Sequence, residues 1–387
     1  MKRLKILMIV LVLLISNIRM TTDISAQINT NRLTLHAKSA IAIDECSGRV
    51  LYEKNAHEEL AMASTTKIMT CLIALEYINS QKKDIICSFS DQAVKMPEVK
   101  LGAKTGEQYY LNDLLYSLML ESHNDTAVAI AECVAGSEEN FSEFMNQKAQ
   151  KLGLTHTHFV TANGLDADNH YTTAYDLSML TRYAMSNEQF VSIVNTKEYH
   201  LHNVTGDIVY HLHNKNAFLN MMSGACGVKT GYTGNAGYCF VGALRNGEYQ
   251  IITVVLSSGF PPNKTYKWDD TKRLMTYVID NYKRKKIFVP IKKYRRIPVK
   301  KGKQSYTNTY IPFVYETLVS EKDIIEFRYV MAEELSAPVL DNQIVGKVYI
   351  CINNQTEAEA FIYTSSFVKK VKKKSFVKSI LNYVKVH

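Results

Sequence analysis

Three short polar motifs follow one another along this chain and place the strongest constraint on its fold. They read S-T-T-K at residues 64–67, S-H-N at 122–124 and K-T-G at 229–231. Together they supply hydroxyl groups, amines and an amide, which are the parts of a site that transfers an acyl group to serine. Because long stretches separate them, the chain must fold so that three distant segments line one active site.

The sequence context of each motif distinguishes it from chance matches of the same letters. Ser64 opens the apolar run 68–75, which predicts a buried helix. Lys229 precedes two apolar segments that an Asn246-Gly247 turn joins, and this pattern predicts a β-hairpin. The remaining matches lack these contexts, and they are S-x-x-K at 80–83, 366–369 and 375–378 and K-T-G at 104–106.

The length and composition are those of a globular protein with two domains. The chain has 387 residues, of which 46% are hydrophobic and 21% are charged. Its net charge of +9 comes from the two ends, because residues 1–26 contribute +3 and the seven lysines in 367–387 contribute +7, which leaves −1 between them. A nucleic-acid partner is therefore not supported, since the body has no excess of positive charge.

The N-terminal segment has the pattern of a secretory signal peptide. Basic residues precede the apolar stretch 6–15, and Ser25-Ala26 offers a cleavage point with small residues. We therefore expect residues 1–26 to be removed and the mature chain to be exported. The alternative is a retained signal anchor, although the apolar stretch is shorter than a membrane span requires.

The C-terminal segment 367–387 combines lysines with an apolar helical face. This pattern predicts an amphipathic helix that binds an anionic membrane surface, which would hold the protein at the outer face of the cytoplasmic membrane. The alternative is a basic tail that is loosely docked or disordered. The apolar face is formed by Phe376, Val377, Ile380, Leu381 and Val384.

Seven cysteines are scattered through the chain without C-x-x-C spacing. Neither a disulfide framework nor a zinc site is predicted from them, and most are expected to be buried free thiols. A redox role for Cys226, three residues before Lys229, stays open. The cysteines are at positions 46, 71, 87, 133, 226, 239 and 351.

The hydrophobic pattern predicts an α+β fold with an antiparallel sheet. A hairpin is expected near residues 40–52, and two further strands are expected near 238–244 and 251–256. Strands from both ends of the domain therefore flank a helical middle, and the helices pack on the sheet. The predicted helices cover residues 64–79, 111–120, 125–134, 143–152 and 268–282.

After residue 283 the pattern changes to short alternating segments, including 311–314 and 345–350. Such segments predict a small all-β domain. The predicted organisation is a signal peptide at 1–26, a catalytic domain at 27–284, a β-rich domain at 285–366 and the amphipathic helix at 367–387.

The motif spacing suggests how the chemistry would work. Residues three apart share a helical face, so Lys67 can present its amine to the Ser64 hydroxyl. Lysine accepts a proton only if its charged form is disfavoured, and burial together with the second cation Lys229 would achieve this. We therefore expect Lys67 to be neutral in the resting site.

The other motif residues suit leaving-group and substrate contacts. Ser122 could relay a proton to the departing amine, and the Asn124 amide could bind both Lys67 and a substrate peptide group. Lys229 and Thr230 can hold a carboxylate, while Gly231 lets an extended substrate lie close to the strand. These residues imply a substrate that ends in a free carboxylate.

The motifs and their surroundings resemble those of serine-type D-alanyl-D-alanine carboxypeptidases, which are low-molecular-weight penicillin-binding proteins. The resemblance extends over residues 38–365 and includes N-G-L-D at 163–166 and the segments 171–177 and 227–239. It implies a penicillin-binding transpeptidase/β-lactamase-like domain, a β-rich C-terminal domain and a C-terminal amphipathic anchor.

The resemblance also implies a role for each motif residue. The chain would remove the terminal D-alanine from peptidoglycan stem pentapeptides, with β-lactam antibiotics as covalent inhibitors and without a metal or organic cofactor. Ser64 would be the acylated nucleophile, Lys67 the general base, Ser122 and Asn124 the second catalytic element, Lys229, Thr230 and Gly231 the substrate-binding strand, and the N–H groups of Ser64 and Tyr232 the oxyanion hole.

Two positions depart from the family pattern. His123 lies where glycine is common, and Asn163 lies where some members have histidine. We expect His123 to point away from the site, because its neighbours on both sides face it. His170 is expected to pack or cap a loop.

The sequence leaves two alternative functions open. A serine β-lactamase shares the three motifs, but class A enzymes use a glutamate between the second and third motifs, and residues 144–187 contain none. A non-catalytic penicillin-recognising cell-wall protein is the other alternative, although all the catalytic side chains are present.

Overall fold

The computed structural model describes residues 33–81, 83–97, 99–291 and 296–372. The predicted signal peptide and the apolar face of the predicted C-terminal helix lie outside these residues. No helix in the described ranges is both long and apolar enough to cross a membrane.

A five-stranded antiparallel sheet forms the centre of the first domain, with strand order β2-β1-β9-β8-β7. The first two strands and the last three come from opposite ends of the domain, as the sequence predicted. Strand β7 lies at the edge, so one side of its backbone is open to a ligand. The strands of this domain are β1 Ser39–Asp44, β2 Val50–Lys54, β3 Ile86–Ser88, β4 Gln108–Tyr110, β5 Glu198–His202, β6 Val209–His213, β7 Ala225–Thr233, β8 Gly237–Asn246 and β9 Tyr249–Leu256.

Helices cover the sheet and form the helical middle. Helix α1 is buried from Lys67 to Leu75, because other elements surround it, and this explains its apolar sequence. A 3₁₀ turn, Ala63–Thr66, leads into α1. The helices are α1 Lys67–Ser80, α2 Asp91–Val94, α3 Leu111–Tyr116, α4 Asn124–Ala135, α5 Glu138–Lys151, α6 Ala174–Met185, α7 Glu188–Asn195 and α8 Tyr266–Asn281.

The helical middle differs from the prediction in several of its helices. The helix expected over 111–120 changes after Tyr116 into a π-helical turn, Ser117–Glu121, and ends at Ser122 in the left-handed conformation. The short helix α2 was not predicted, and neither were α6 and α7. Thr173 and Asn187 cap α6 and α7 by accepting hydrogen bonds from backbone N–H groups of the first turn.

The second domain is all-β, which confirms the sequence prediction. A six-stranded sheet has the order β14-β16-β17-β12-β11-β15, and β10 pairs with β13. The segment 311–313, expected to be part of a strand, lies between two strands, because Pro312 has no N–H to donate to a ladder. The strands are β10 Tyr282–Phe288, β11 Arg296–Lys300, β12 Tyr306–Tyr310, β13 Val314–Ser320, β14 Ile325–Met331, β15 Leu335–Ser336, β16 Ile344–Ile352 and β17 Gln355–Thr364.

One pair of cysteines forms a disulfide, although the cysteine pattern predicted no disulfide framework. Cys87 on β3 and Cys133 on α4 form a disulfide with a Cα–Cα distance of 5.3 Å. Their sequence separation of 46 residues carries no signal, so only the fold reveals the pairing. Cys71, Cys226 and Cys239 are buried free thiols, as expected.

Candidate active site

The 3₁₀ turn before α1 places a hydroxyl and an amine side by side. The Nζ of Lys67 lies 2.9 Å from the Oγ of Ser64, one helical turn earlier. Ala63 begins the turn at φ 50°, a left-handed conformation that is uncommon for alanine. This geometry fits a nucleophile with its base already within hydrogen-bond distance.

The amine of Lys67 is fully buried and has two further oxygen partners. It donates to the Asn124 Oδ1 at 2.9 Å and to the backbone carbonyl of Asn163 at 2.6 Å. A neutral amine has two N–H groups, and these two acceptors satisfy both. Its lone pair can then accept the hydrogen bond of the Ser64 hydroxyl.

The electrostatics of the site favour this neutral form. Burial, followed by the positive charge of Lys229, holds the pKa of Lys67 well below the usual lysine range, against a smaller opposing effect of Asp125. Burial also lowers the pKa of Lys229, to about 7. Between these two lysines, Lys67 is the one that becomes neutral, because it faces both burial and a second cation.

Strand β7 carries the third motif along the open edge of the sheet. A Cβ on Gly231 would lie 3.0 Å from the Ser64 backbone nitrogen, so the strand passes directly against the 3₁₀ turn. Lys229 is buried, Thr230 is half-buried and Tyr232 is exposed. An exposed strand edge beside a nucleophile can bind an extended peptide by adding it to the sheet.

The second motif joins the π-helical turn to α4. Asn124 is the first residue of α4 and is only 5% exposed, and its backbone N–H donates to the Val99 carbonyl at 2.7 Å. Ser122 lies at φ 71° and is half-buried. Among the described residues, its hydroxyl has no hydrogen bond to another motif side chain. The structure therefore brings Ser64, Lys67, Asn124 and Lys229 together. Ser122 lies two residues before Asn124 in the sequence.

His123 points away from these groups, as expected. Its Nδ1 lies 2.9 Å from the Ser117 hydroxyl, and its Nε2 lies 3.5 Å from a carboxylate oxygen of Glu121. The ring is buried.

A loop to which the sequence assigned no role packs against the 3₁₀ turn that carries Ser64. Gly164 adopts φ 82°, and a Cβ there would lie only 2.1 Å from the Ala63 carbonyl oxygen. The loop thereby brings the Asn163 carbonyl to Lys67. A motif of side chains does not predict the position of a backbone carbonyl. The available signals were the Asn-Gly pair, which favours a turn, and the N-G-L-D segment at 163–166 that resembles the family.

His170 ties this loop to the nucleophile turn, which agrees with its expected packing role. Its Nδ1 accepts the Val160 N–H at 2.9 Å, so the Nε2 carries the proton and donates to the Thr66 hydroxyl at 2.8 Å. Burial lowers the pKa of His170 to about 4, which keeps the ring neutral.

Asp166 and Asp176 lie between the second and third motifs, and their hydrogen bonds stabilise the fold. Asp166 accepts from the Thr233 hydroxyl at 2.6 Å and so connects the loop to the end of β7. Asp176 accepts from the His156 N–H and the Thr157 hydroxyl.

Comparisons with known proteins identify the family of the chain. Residues 25–259 match the family described as D-alanyl-D-alanine carboxypeptidase, and residues 282–370 match the C-terminal domain of penicillin-binding protein 5. The chain belongs to the D-alanyl-D-alanine carboxypeptidase family. This family favours a carboxypeptidase of the penicillin-binding type over a β-lactamase or a non-catalytic protein.

Curated relatives extend over nearly the whole chain. It is 31% identical over 355 residues to the D-alanyl-D-alanine carboxypeptidase DacF of Bacillus subtilis, with 90% of each chain covered. It is 28% identical over 327 residues to DacD of Escherichia coli, covering 81% of this chain and 82% of the relative.

Solved structures of family members have the same fold. Penicillin-binding protein 5 of Haemophilus influenzae superimposes with a TM-score of 0.73 at 23% identity, covering 88% of this chain and 99% of that one. Ampicillin-bound penicillin-binding protein D2 of Listeria monocytogenes gives a TM-score of 0.56 at 31% identity, covering 63% and 98%.

Proposed function

We propose that this chain is a serine D-alanyl-D-alanine carboxypeptidase that removes the terminal D-alanine from peptidoglycan stem pentapeptides. The observation that carries this proposal is the contact between the Ser64 hydroxyl and the buried Lys67 amine, next to the cationic edge strand β7. The family of the chain and the names of its relatives support the substrate class.

In the first step, Ser64 attacks the carbonyl carbon between the two D-alanines while Lys67 takes the hydroxyl proton. The Asn124 and Asn163 oxygens hold the amine in place, and as it becomes charged they stabilise it. The base is positioned before substrate arrives, which avoids the cost of organising it during the reaction.

The substrate lies along β7 in this proposal. Lys229 and Thr230 hold its terminal carboxylate, and Gly231 lets its backbone approach the strand closely. The N–H groups of Ser64 and Tyr232 stabilise the tetrahedral oxyanion. The close approach of Gly231 to the Ser64 nitrogen supports this arrangement, because it brings the two segments together.

Lys67 then releases the proton that it took from Ser64, and this proton passes through Ser122 to the leaving amine. D-Alanine departs, a serine ester remains and Lys67 is neutral again. Water, activated by the neutral Lys67, then hydrolyses the ester and restores Ser64. β-Lactam antibiotics would acylate the same oxygen and act as covalent inhibitors. Each of these steps uses side chains of the chain itself.

We further propose that the chain is exported and acts at the outer face of the cytoplasmic membrane. The signal-like segment 1–26 and the basic segment 367–387 support this placement. The proposed domains are residues 27–284 for the peptidase and 285–366 for the β-rich domain.

The decisive experiment measures covalent labelling and product release together. Intact mass is recorded with and without a penicillin, and D-alanine release from a diacyl-Lys-D-Ala-D-Ala peptide is followed, for the wild-type chain and Ser64→Ala. We expect one penicillin adduct and D-alanine release in the wild type, and neither in the variant. An adduct that persists in Ser64→Ala would show that another residue is the nucleophile.

A further inference from the structure

Ser122 lies between two side chains that are both fixed by the fold. Its left-handed φ of 71° is uncommon for serine and requires the surroundings to hold it. Glu121 precedes it and His123 follows it, with side chains that are 16% and 6% exposed. These two side chains contact each other, with the His123 Nε2 3.5 Å from the Glu121 Oε2.

Hydrogen bonds hold the Nδ1 side of the His123 ring, and the contact with Glu121 holds the Nε2 side. The Ser117 hydroxyl lies 2.9 Å from the His123 Nδ1 and 2.8 Å from the Thr126 hydroxyl. Burial lowers the pKa of His123, so the ring is neutral. In a neutral ring whose Nδ1 accepts from Ser117, the Nε2 carries the proton and lies 3.5 Å from the Glu121 Oε2, while Ser117 accepts from Thr126.

Glu121 extends these contacts to the neighbouring hairpin of β5 and β6. Its Oε1 accepts the His213 backbone N–H at 2.8 Å, and its Oε2 lies 3.6 Å from the Lys215 amine. One carboxylate thus joins the hairpin, the π-helical turn and the residue after Ser122. The backbone on each side of Ser122 is therefore tied to a different element.

We propose that His123 and Glu121 are positioning residues that clamp the backbone around Ser122 and direct its hydroxyl to the leaving amine. This inference rests on the proposed function. Among the described residues, the Ser122 hydroxyl has no hydrogen-bond partner that would orient it, so its direction depends on the backbone. A small rotation of that backbone would misplace the proton relay and slow acylation.

The test compares His123→Ala, His123→Asn and His123→Gln in the full chain. Asparagine can replace the Nδ1 acceptor for Ser117, and glutamine can place an N–H group near Glu121, where the Nε2 lies. His156→Ala is the matched control, because His156 also pairs with a glutamate, at 3.0 Å, but on an exposed surface. Rates of D-alanine release are divided by the number of sites that bind a fluorescent penicillin, so that misfolded protein does not lower the rate per site.

We expect His123→Ala to reduce kcat by about tenfold or more with KM changed by less than about twofold. His123→Asn and His123→Gln should each recover part of the loss, and His156→Ala should match the wild type. The inference is overturned if the per-site kcat of His123→Ala equals that of the wild type, or if KM alone changes. Labelling that persists in Ser64→Ala would instead refute the proposed function, independently of His123.

Discussion

Two buried lysines of this site have different tasks because their surroundings differ. Lys67 has two oxygen acceptors and a neighbouring cation, which together suit a neutral amine. Lys229 donates to the Thr230 carbonyl at 3.1 Å, and its pKa of about 7 leaves it partly charged near neutral pH. A substrate carboxylate would favour the charged form of Lys229 and so raise its pKa.

This difference predicts the pH dependence of kcat/KM, which reports the free enzyme. Lys229 binds the carboxylate only when charged, and it loses its charge as the pH rises through about 7. Lys67 must be neutral, so activity falls on the acid side when it is protonated. We expect a bell-shaped profile whose alkaline limb lies near pH 7, measured by D-alanine release across pH 5 to 10.

Replacing Lys229 separates the two limbs of this profile. Lys229→Ala removes the cation that helps to keep Lys67 neutral, so the pKa of Lys67 should rise and the acid limb should move to higher pH. The alkaline limb should disappear and KM should increase. An acid limb at the wild-type position would show that Lys229 does not act on Lys67.

The side chains that gather around Ser64 could be predicted from sequence, because motif spacing encodes residue type and helical phase. Their pairing partners could not all be predicted. The Asn163 carbonyl belongs to the backbone, and no residue type specifies where a backbone carbonyl will accept a hydrogen bond. The tie between His170 and Thr66 joins residues 104 apart, which only tertiary structure brings together.

At the scale of elements, the loop at Gly164 shapes the site by close approach. Its conformation and its contact with the 3₁₀ turn both require glycine. Gly153 offers a matched comparison, since it has a similar φ of 73° but no atom within 4 Å of a Cβ. The two glycines therefore separate the cost of conformation from the cost of displacing the turn.

We predict that Gly153→Ala costs about 1 kcal/mol of unfolding free energy and leaves the acylation rate unchanged. Gly164→Ala should lose more stability and should slow acylation, because the Ala63 carbonyl and hence the Ser64 turn must move. Thermal unfolding and labelling by a fluorescent penicillin measure the two effects. Equal acylation rates in both variants would contradict the role of the Gly164 loop.

The disulfide between Cys87 and Cys133 acts at the same scale, because it joins β3 to the helix that begins with Asn124. Closing a loop of this length restricts the unfolded chain, and we predict a loss of about 2–4 kcal/mol for Cys133→Ser. The loss should equal the effect of reducing the wild-type protein. Unchanged unfolding temperatures in both cases would show that the bond contributes no stability.

At the scale of the whole molecule, buried ion pairs join the peptidase domain to the β-rich domain. Arg49 of the peptidase domain contacts Asp323 of the β-rich domain at 2.8 Å and the Leu318 carbonyl at 2.6 Å. Asp44 contacts Arg284, which lies on β10 at the boundary between the two domains, at 2.8 Å. The β-rich domain was predictable from its alternating pattern, but these contacts were not, because each pairs charges more than 200 residues apart.

These contacts predict how mutations at the junction between the two domains change the free energy of unfolding. Arg49→Ala leaves the buried Asp323 carboxylate without its cation, which should cost about 3 kcal/mol of unfolding free energy. Lys38→Ala removes an exposed pair with Glu58 and should cost less than about 1 kcal/mol. Denaturant unfolding measures both changes, and the penicillin-binding fraction of folded Arg49→Ala should stay at the wild-type level. A loss no larger than that of Lys38→Ala would show that the buried pair does not hold the junction together, and labelling that fell while the chain stayed folded would instead couple the junction to the active site.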